Sequence, residues 1–295
     1  MDINFELYRI FYFAGKYKNF SEAGKKLFIS QSAVSQAIRN LEEKTGTRLF
    51  YRKSRNISLT PEGELLFKHI EKAYNLIKSG ESKLMEIQNL KSGEIRIGAG
   101  DTICRYFLIP YLREFMSKYP GVKVQVINRT SSQIIDLLKN GVIEVGIPTL
   151  PIHDNNINVI DFIEVEDVFA ASDKYSHLKG KKVALSELME YPLLLLQRES
   201  ATRRNLDYYL LERGLSVKPE LEFESIELLV EFARIGAGIA HVLKESALTA
   251  FKKGELFEVE LLDKLPKRKL GIASVKNVPL SRAAEAFVNL LCEKT

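Results

Sequence analysis

Residues 21–39 read S-E-A-G-K-K-L-F-I-S-Q-S-A-V-S-Q-A-I-R, the clearest structural pattern in the N-terminal part of the chain. Residues 28–30 interrupt its helical periodicity, and Ser30 is a suitable N-cap for a second helix. The stretch therefore predicts two helices that meet at a tight turn. The apolar positions at helical spacing are Ala23, Leu27, Val34, Ile38 and, just beyond, Leu41.

The second of these helices carries side chains that can donate to or accept from the edges of bases. Gln36 is the strongest candidate base reader, because an amide can bind adenine with two hydrogen bonds. Arg39 fits a guanine or a phosphate equally well. The pattern predicts a helix-turn-helix that binds duplex DNA. The predicted contacts on this helix are Gln31, Ser32, Ser35, Gln36 and Arg39.

A basic hairpin is predicted directly after this motif. Two short strands at 49–51 and 57–59 enclose the run R-K-S-R-N, which places Arg52, Lys53 and Arg55 near phosphate or the minor groove, as in a wing. A solvated charge run is the alternative. The first 60 residues hold 11 Lys and Arg against 5 Asp and Glu, whereas the remainder holds 32 against 33. The positive excess thus coincides with the predicted DNA-binding module.

Composition narrows the class of protein. The chain has 295 residues, of which 45% are hydrophobic and 27% charged, with a net charge of +5, as in an ordinary globular protein of about two domains. It shows neither a membrane-helix run nor a basic-then-apolar signal pattern, so a cytoplasmic protein is expected. Cys104 and Cys292 read as two buried thiols or, alternatively, as a redox pair. The four histidines and the hydroxyl residues form no metal-ligand or catalytic pattern, so we expect no metal, no cofactor and no enzymatic activity.

A long helix is predicted after the hairpin. Thr60-Pro61-Glu62 combines a capping hydroxyl, a proline in the first turn and an acid near the positive helix end. The helix would run to about residue 90 and span about 45 Å. Its apolar stripe favours pairing with a second copy in a homodimer, and folding back onto its own domain is the alternative. The stripe comprises Leu65, Leu66, Ile70, Ala73, Ile77, Leu84, Ile87 and Leu90.

Strands alternate with helices from residue 94 onward, in two successive sets. This order predicts parallel βαβ units in two α/β lobes with a cleft between them. Three segments follow a strand and open a helix, so each offers backbone N–H groups and hydroxyls to an anion or polar oxygen, although plain N-capping explains any one of them. Arg203 or Arg204 could clamp a carboxylate or phosphate. The three segments are Gly100-Asp101-Thr102, Thr130-Ser131-Ser132 and Ser200-Ala201-Thr202-Arg203.

With these motifs in view, the chain resembles the LysR-type transcriptional regulators along essentially its whole length. The resemblance rests on several motifs. In the N-terminal part these are N-F-S-E-A-G-K-K-L at 19–27, S-Q-S-A-V-S-Q-A-I-R-N-L-E at 30–42, G-T-R-L-F-Y-R at 46–52 and L-T-P-E-G at 59–63. Further on come I-R-I-G-A-G-D-T at 95–102, Y-P-G-V-K-V at 119–124 and G-A-G-I-A at 236–240. Three residues depart from the family pattern: Ser32 replaces a common proline, Gly24 a common alanine, and Asp101 a small or hydroxyl residue.

The resemblance implies an α/β multidomain protein: a winged helix-turn-helix at 1–60, a dimerising linker helix at 61–90 and a periplasmic-binding-protein-like effector domain at 94–295. Lobe I would comprise about 94–160 and 268–295, and lobe II about 161–267. The implied partners are an inverted-repeat operator in double-stranded DNA, a small polar or anionic metabolite effector and further copies of the chain, as a dimer or a tetramer. RNA polymerase is a further candidate partner. The competing hypotheses are a redox-responsive regulator of the same architecture, a solute-binding protein without a DNA role and an architectural DNA-binding protein without an effector.

Overall fold

The computed structural model describes residues 3–53, 56–86 and 93–293. The chain divides into two compact units, Met1–Leu84 and Met85–Thr295. Each unit has hydrophobic clusters of its own, and the two are described separately.

The first unit begins with three helices whose ends follow from capping residues. Asn4 and Asn19 accept hydrogen bonds from backbone N–H groups in the first turns of α1 and α2, and Ser30 does the same for α3. Gly46 ends α3 in the left-handed conformation, at φ 70°. The helices are α1 Phe5–Tyr17, α2 Phe20–Leu27 and α3 Gln31–Thr45.

A two-stranded hairpin and a long helix complete this unit. Strands β1 Phe50–Lys53 and β2 Asn56–Leu59 are antiparallel, and α4 spans Pro61–Glu86. The Thr60 hydroxyl donates to the Arg48 carbonyl at 2.7 Å and accepts from the Gly63 N–H at 3.0 Å. These bonds fix the start of α4 against the chain that enters β1. The predicted positions Ile87 and Leu90 lie outside the described residues.

Aromatic side chains bind the first half of α4 to its own unit. Phe67 stacks on Tyr12 with 5.8 Å between ring centroids, and Tyr74 lies 4.4 Å from the same ring. Leu66 and Ile70 pack against the cluster that contains buried residues of α1 and α3. The first half of the helix therefore folds onto its own domain, as the alternative interpretation of the stripe expected.

Lobe I of the second unit is a five-stranded sheet flanked by helices. From edge to edge its strands are β4 Val122–Asn128, β3 Gly93–Ala99, β5 Val145–Ile147, β12 Arg268–Val275 and β6 Ile157–Val165. Helix α5 continues through a π-helical turn, Cys104–Leu108, into α6. Pro110, which has no N–H to donate to the preceding turn, lies in the first turn of α6, directly after the π-helical turn. The helices between β3 and β5 are α5 Asp101–Ile103, α6 Ile109–Lys118 and α7 Ser131–Lys139.

Lobe II is a second five-stranded sheet, in the order β11-β7-β10-β8-β9, after which β12 and α12 return to lobe I. The elements of lobe II are β7 Asp167–Ala171, α8 Leu185–Leu188, β8 Leu193–Leu196, α9 Ala201–Leu211, β9 Leu221–Phe223, α10 Ile226–Arg234, β10 Ile239–Leu243, α11 Lys244–Lys253 and β11 Phe257–Val259. The returning elements are β12 Arg268–Val275 and α12 Arg282–Cys292.

Both sheets are mixed, whereas the sequence predicted parallel units. Strand β3 is parallel to β4 and β5, but β12 is antiparallel to β5 and β6. The reason is that β6 leaves lobe I and β12 returns to it, so the two run side by side in opposite directions. In lobe II, β10 is parallel to β8 and antiparallel to β7.

The same pairing moves the lobe boundary. Strand β6 pairs with β12 from Ile157 to Val165, so the whole strand belongs to lobe I. The expected boundary between 160 and 161 falls inside this strand and is too early. Asp167, the first residue of β7, and Arg268, the first residue of β12, form a buried bidentate ion pair where the chain passes between the lobes.

Two further expectations differ from the structure. The run V-I-E-V-G-I at 142–147 predicts a strand, but only β5 at its end forms one, because residues 140–142 turn out of α7. Helix α11 was not predicted, because its fully buried positions, Ala247 and Ala250, are small and give a weak periodic signal. No helix in the described part of the chain is long and apolar enough to cross a membrane.

Candidate functional site

The exposed face of α3 carries the predicted base-reading residues. Gln31, Ser32, Gln36 and Arg39 are exposed and Ser35 is half-buried, while Val34, Ile38 and Leu41 are buried on the opposite face. Positions 31, 35 and 39 stand four residues apart and 32 and 36 do likewise, so they share one side of the helix. The structure therefore brings all five together.

Two of these side chains are oriented by neighbours on their own helix. The Ser32 hydroxyl lies 2.8 Å from the Ser30 hydroxyl, next to the cap of α3. The Gln36 Nε2 donates to Asn40 Oδ1 at 3.0 Å, one turn along the helix. The polar face is thus partly organised without a ligand.

The predicted wing is described only in part. Arg52 and Lys53 lie on β1, with the backbone of Arg52 opposite Ile57. Arg55 lies outside the described residues, and so do the side chains of Arg52 and Lys53. The hairpin itself occurs where the sequence predicted it.

An open depression of about 860 Å³ lies between the C-terminal half of α3 and β1. Arg39 lines it together with Arg48 and Tyr51, two residues that sequence reasoning did not select. Glu42, which also lines it, accepts hydrogen bonds from the backbone N–H groups of Leu49 and Phe50. Glu42 thereby fixes the start of β1 relative to α3.

A cavity of about 390 Å³ lies between the two lobes of the second unit. Lobe I contributes the start of α7 and the loop after β5, and lobe II contributes the start of α9. Polar and ionisable side chains supply much of the lining: Ser131, Ser132, Asp136, Thr149, His153, Asp154, Arg204 and Asn205.

The predicted effector residues are distributed unevenly around this cavity. Ser131 lines it, and its hydroxyl accepts from the Thr149 N–H at 3.0 Å. Ser132 and Ala201, from the predicted segments, line it as well, and so does Arg204, the alternative to Arg203 as a clamp. The lining does not include the seven other predicted residues: Gly100, Asp101, Thr102, Thr130, Ser200, Thr202 and Arg203.

Comparison with known proteins decides the family. A family model described as "LysR substrate binding domain" matches residues 88–295, and one described as "Bacterial regulatory helix-turn-helix protein, lysR family" matches residues 5–64.

The chain belongs to the LysR family of transcriptional regulators.

Named relatives align over nearly the full length of this LysR-family regulator. The HTH-type transcriptional regulator CysL of Bacillus subtilis is 26% identical over 94% of this chain and 88% of its own. The HTH-type transcriptional activator CmpR of Synechocystis is 26% identical over 92% and 90%.

Solved structures show the same fold. Full-length CbnR, crystallised with its target DNA, superposes with a TM-score of 0.72 at 18% identity over 99% of this chain and 100% of its own. Full-length OxyR from Pseudomonas aeruginosa gives a TM-score of 0.75 at 18% identity over 99% and 95%. The two-lobed effector domain behind a helix-turn-helix is therefore a shared architecture.

Arg203 of this LysR-family chain does not occupy the clamping position that was expected of it. Its side chain is 1% exposed and donates to Asp207, Glu222 and the Leu196 carbonyl. Two carboxylates already neutralise the guanidinium, so Arg203 ties α9 to β8 and β9 instead of facing a ligand. Arg204, the next residue, is the arginine that lines the cavity.

Asp101, which replaces a small or hydroxyl residue of the family pattern, lies outside the cavity as well. It is exposed and accepts from the Asn128 side-chain amide at 3.0 Å. Arg105 instead lies 3.4 Å from Glu227 at the start of α10, which Tyr106 also approaches. These contacts join the π-helical turn of lobe I to lobe II.

Neither cysteine is fully buried, so the expectation of two buried thiols is wrong. Cys104 is half-buried, and burial, followed by the charge of Asp101, raises the pKa of its thiol, which lowers its thiolate fraction. Cys292 is exposed at the end of α12. Among the residues that the structure describes, no cluster of three or more His, Cys, Asp or Glu side chains is arranged to hold a metal ion.

Proposed function

We propose that this protein is a sequence-specific regulator that binds an inverted-repeat operator as a homodimer or a homotetramer, under control of a small polar or anionic metabolite. Sequence-specific DNA binding is supported by the polar face of α3. Four exposed side chains capable of hydrogen bonding lie on this face, while the opposite face of the helix is buried in the core. Such a face matches the donor and acceptor pattern of the major groove.

The wing supplies contacts that position the protein without reading sequence. Arg52, Lys53 and Arg55 add positive charge beside a helix that already carries Arg39. Contacts to phosphate strengthen binding on every sequence and make it dependent on salt. We assign these three residues to the backbone or the minor groove.

Dimerisation is assigned to the second half of α4. Leu76 is 51% exposed and Ile77 43%, whereas Leu66 and Ile70 pack into the core of the first unit. Exposed leucine and isoleucine on a long helix are stabilised by pairing with a second copy. A twofold dimer presents two copies of α3, which requires an inverted repeat.

The inter-lobe cavity is the proposed effector site. Helix α9 begins at Ala201 without a side-chain cap, so its first N–H groups are open to an anion, and Arg204 adds a positive charge. Ser131 and Ser132 supply hydroxyls from the other lobe. An effector held by both lobes would change their relative position and thereby transcription, for which RNA polymerase is the partner we propose. A protein with this role acts in the cytoplasm, where its DNA target lies.

The test is selection of bound duplexes from a random-sequence DNA library with the full-length protein at fixed salt. We expect an inverted repeat whose half-sites lie about one helical turn apart. Gln36→Ala should lose preference at one position of each half-site, because an amide that reads one base is removed.

Arg55→Ala is the matched control. It should weaken binding to all sequences and flatten the salt dependence while the selected motif stays unchanged. A direct repeat, or an unchanged motif with Gln36→Ala, would contradict the proposal.

A further inference from the structure

The hydrogen bond between Gln36 and Asn40 is a contact that the proposed DNA interface does not itself use. The Gln36 Nε2 donates to Asn40 Oδ1 at 3.0 Å. Gln36 is exposed on the polar face of α3, and Asn40 is half-buried one turn further on. The half-buried amide of Asn40 therefore fixes the orientation of the exposed amide of Gln36.

This bond determines which donors and acceptors Gln36 has left. The amide nitrogen carries two hydrogens, and the bond to Asn40 uses one of them. One N–H and the Oε1 acceptor remain for a base. The bond also opposes a half-turn of the amide, which would exchange the positions of oxygen and nitrogen.

The remaining pair matches adenine and not guanine. In the major groove adenine presents the N7 acceptor and the N6 amino donor, which one N–H and one carbonyl oxygen satisfy together. Guanine presents two acceptors, N7 and O6, and needs two donated hydrogens. A glutamine that has already given one hydrogen to its own helix cannot supply both.

We propose that Asn40 is a positioning residue that makes Gln36 selective for adenine over guanine. The inference rests on the proposed role of Gln36 as a base reader and adds a residue that acts through it. Asn40 needs no contact with the DNA for this role. Its acceptor oxygen is the group that matters, so an aspartate at the same position should perform it.

The experiment uses the full-length protein and the random duplex library described above, with Gln36→Ala, Asn40→Ala and Asn40→Asp as variants. Gln36→Ala identifies the position in the motif that Gln36 reads. At that position Asn40→Ala should lower the ratio of adenine to guanine by at least about fivefold, since it frees the second hydrogen. All other positions of the motif and the thermal unfolding midpoint should stay as in the wild type.

Asn40→Asp is the matched control, because a carboxylate accepts hydrogen bonds and cannot donate them. It should keep the adenine preference, although its charge weakens binding to every sequence alike through repulsion of phosphate.

Three results would overturn the inference. Gln36→Ala could abolish the base preference at one position of the motif while Asn40→Ala leaves the adenine-to-guanine ratio at that position unchanged. In that case Gln36 still reads a base, but Asn40 does not position it. If Asn40→Ala weakens all positions together, or Asn40→Asp behaves as Asn40→Ala does, the acceptor oxygen is not the cause. If Gln36→Ala leaves the motif intact, the proposed role of Gln36 fails and the inference with it.

Discussion

His241 shows how one residue can link folding to pH without taking part in binding. It lies in the middle of β10, is 2% exposed and packs against Phe169 of β7 with 4.9 Å between ring centroids. Burial lowers its pKa from 6.5 to about 4. The folded chain therefore keeps His241 neutral at a pH where the unfolded chain protonates it.

The stability of the second unit should consequently fall as the pH drops from about 6.5 to about 4. The unfolded state binds the extra proton in this window, and the shift corresponds to about 3 kcal/mol of unfolding free energy. Denaturant unfolding of the full chain at several pH values, in the wild type and in His241→Leu, measures it. The variant should have a flatter pH profile, and parallel profiles would show that His241 does not carry the linkage.

The start of α4 is the element whose geometry is most tightly constrained. A Cβ added to Gly63 would lie 2.1 Å from the Leu49 carbonyl oxygen, which is backbone and cannot turn aside. Gly80, on the same helix, has nothing within 4 Å of the corresponding position. The glycine of L-T-P-E-G therefore allows α4 to pass directly over the chain that enters β1.

Gly63→Ala should destabilise the first unit by about 1–3 kcal/mol, because α4 must move away from Leu49. DNA affinity should fall with it, since the hairpin and α3 rest on the same core. Gly80→Ala is the control and should be neutral or stabilising by up to about 1 kcal/mol through helix propensity. Thermal unfolding and DNA binding of the two full-length variants distinguish them, and equal behaviour would refute the steric argument.

Elements with strong local signals were predictable from the sequence. Ser30 and Thr60 mark helix starts through their hydroxyls, and the structure begins α3 and α4 directly after them. Features that depend on pairing between distant parts of the chain were not predicted. Strand β12 is antiparallel to its neighbours because the chain returns from lobe II to lobe I, and no local sequence pattern shows this. The place of Arg203 was equally hidden, because its partner Glu222 lies 19 residues away and is contacted only in the folded lobe.

At the scale of the whole molecule, the inter-lobe cavity is the proposed site through which a ligand would control the DNA-binding protein. Its lining combines Arg204 from lobe II with Ser131 and Ser132 from lobe I, so a ligand there contacts both lobes. Binding to the folded state alone raises stability with ligand concentration.

A thermal-shift screen of the full chain against small carboxylates and phosphate esters should therefore find a stabilising anion. A ligand at 100 times its dissociation constant adds about 2.7 kcal/mol. Arg204→Gln should lose this shift, because Arg204 is the only arginine or lysine that lines the cavity among the described residues. Arg198→Gln changes an exposed arginine outside the lining and should keep it. A shift that survives Arg204→Gln would place the anion elsewhere.

The position of β12 between β5 and β6 has a consequence during synthesis of the protein. Lobe I cannot close its sheet until residues 268–275 have left the ribosome, whereas the three-helix core and hairpin are complete by residue 84. At about 5–20 residues per second, roughly 10–40 s separate these events. During that interval the nascent chain has a complete helix-turn-helix module and an incomplete effector domain. The edges of β5 and β6 that β12 will cover are still unpaired. A chain that stops inside lobe II would keep that state permanently.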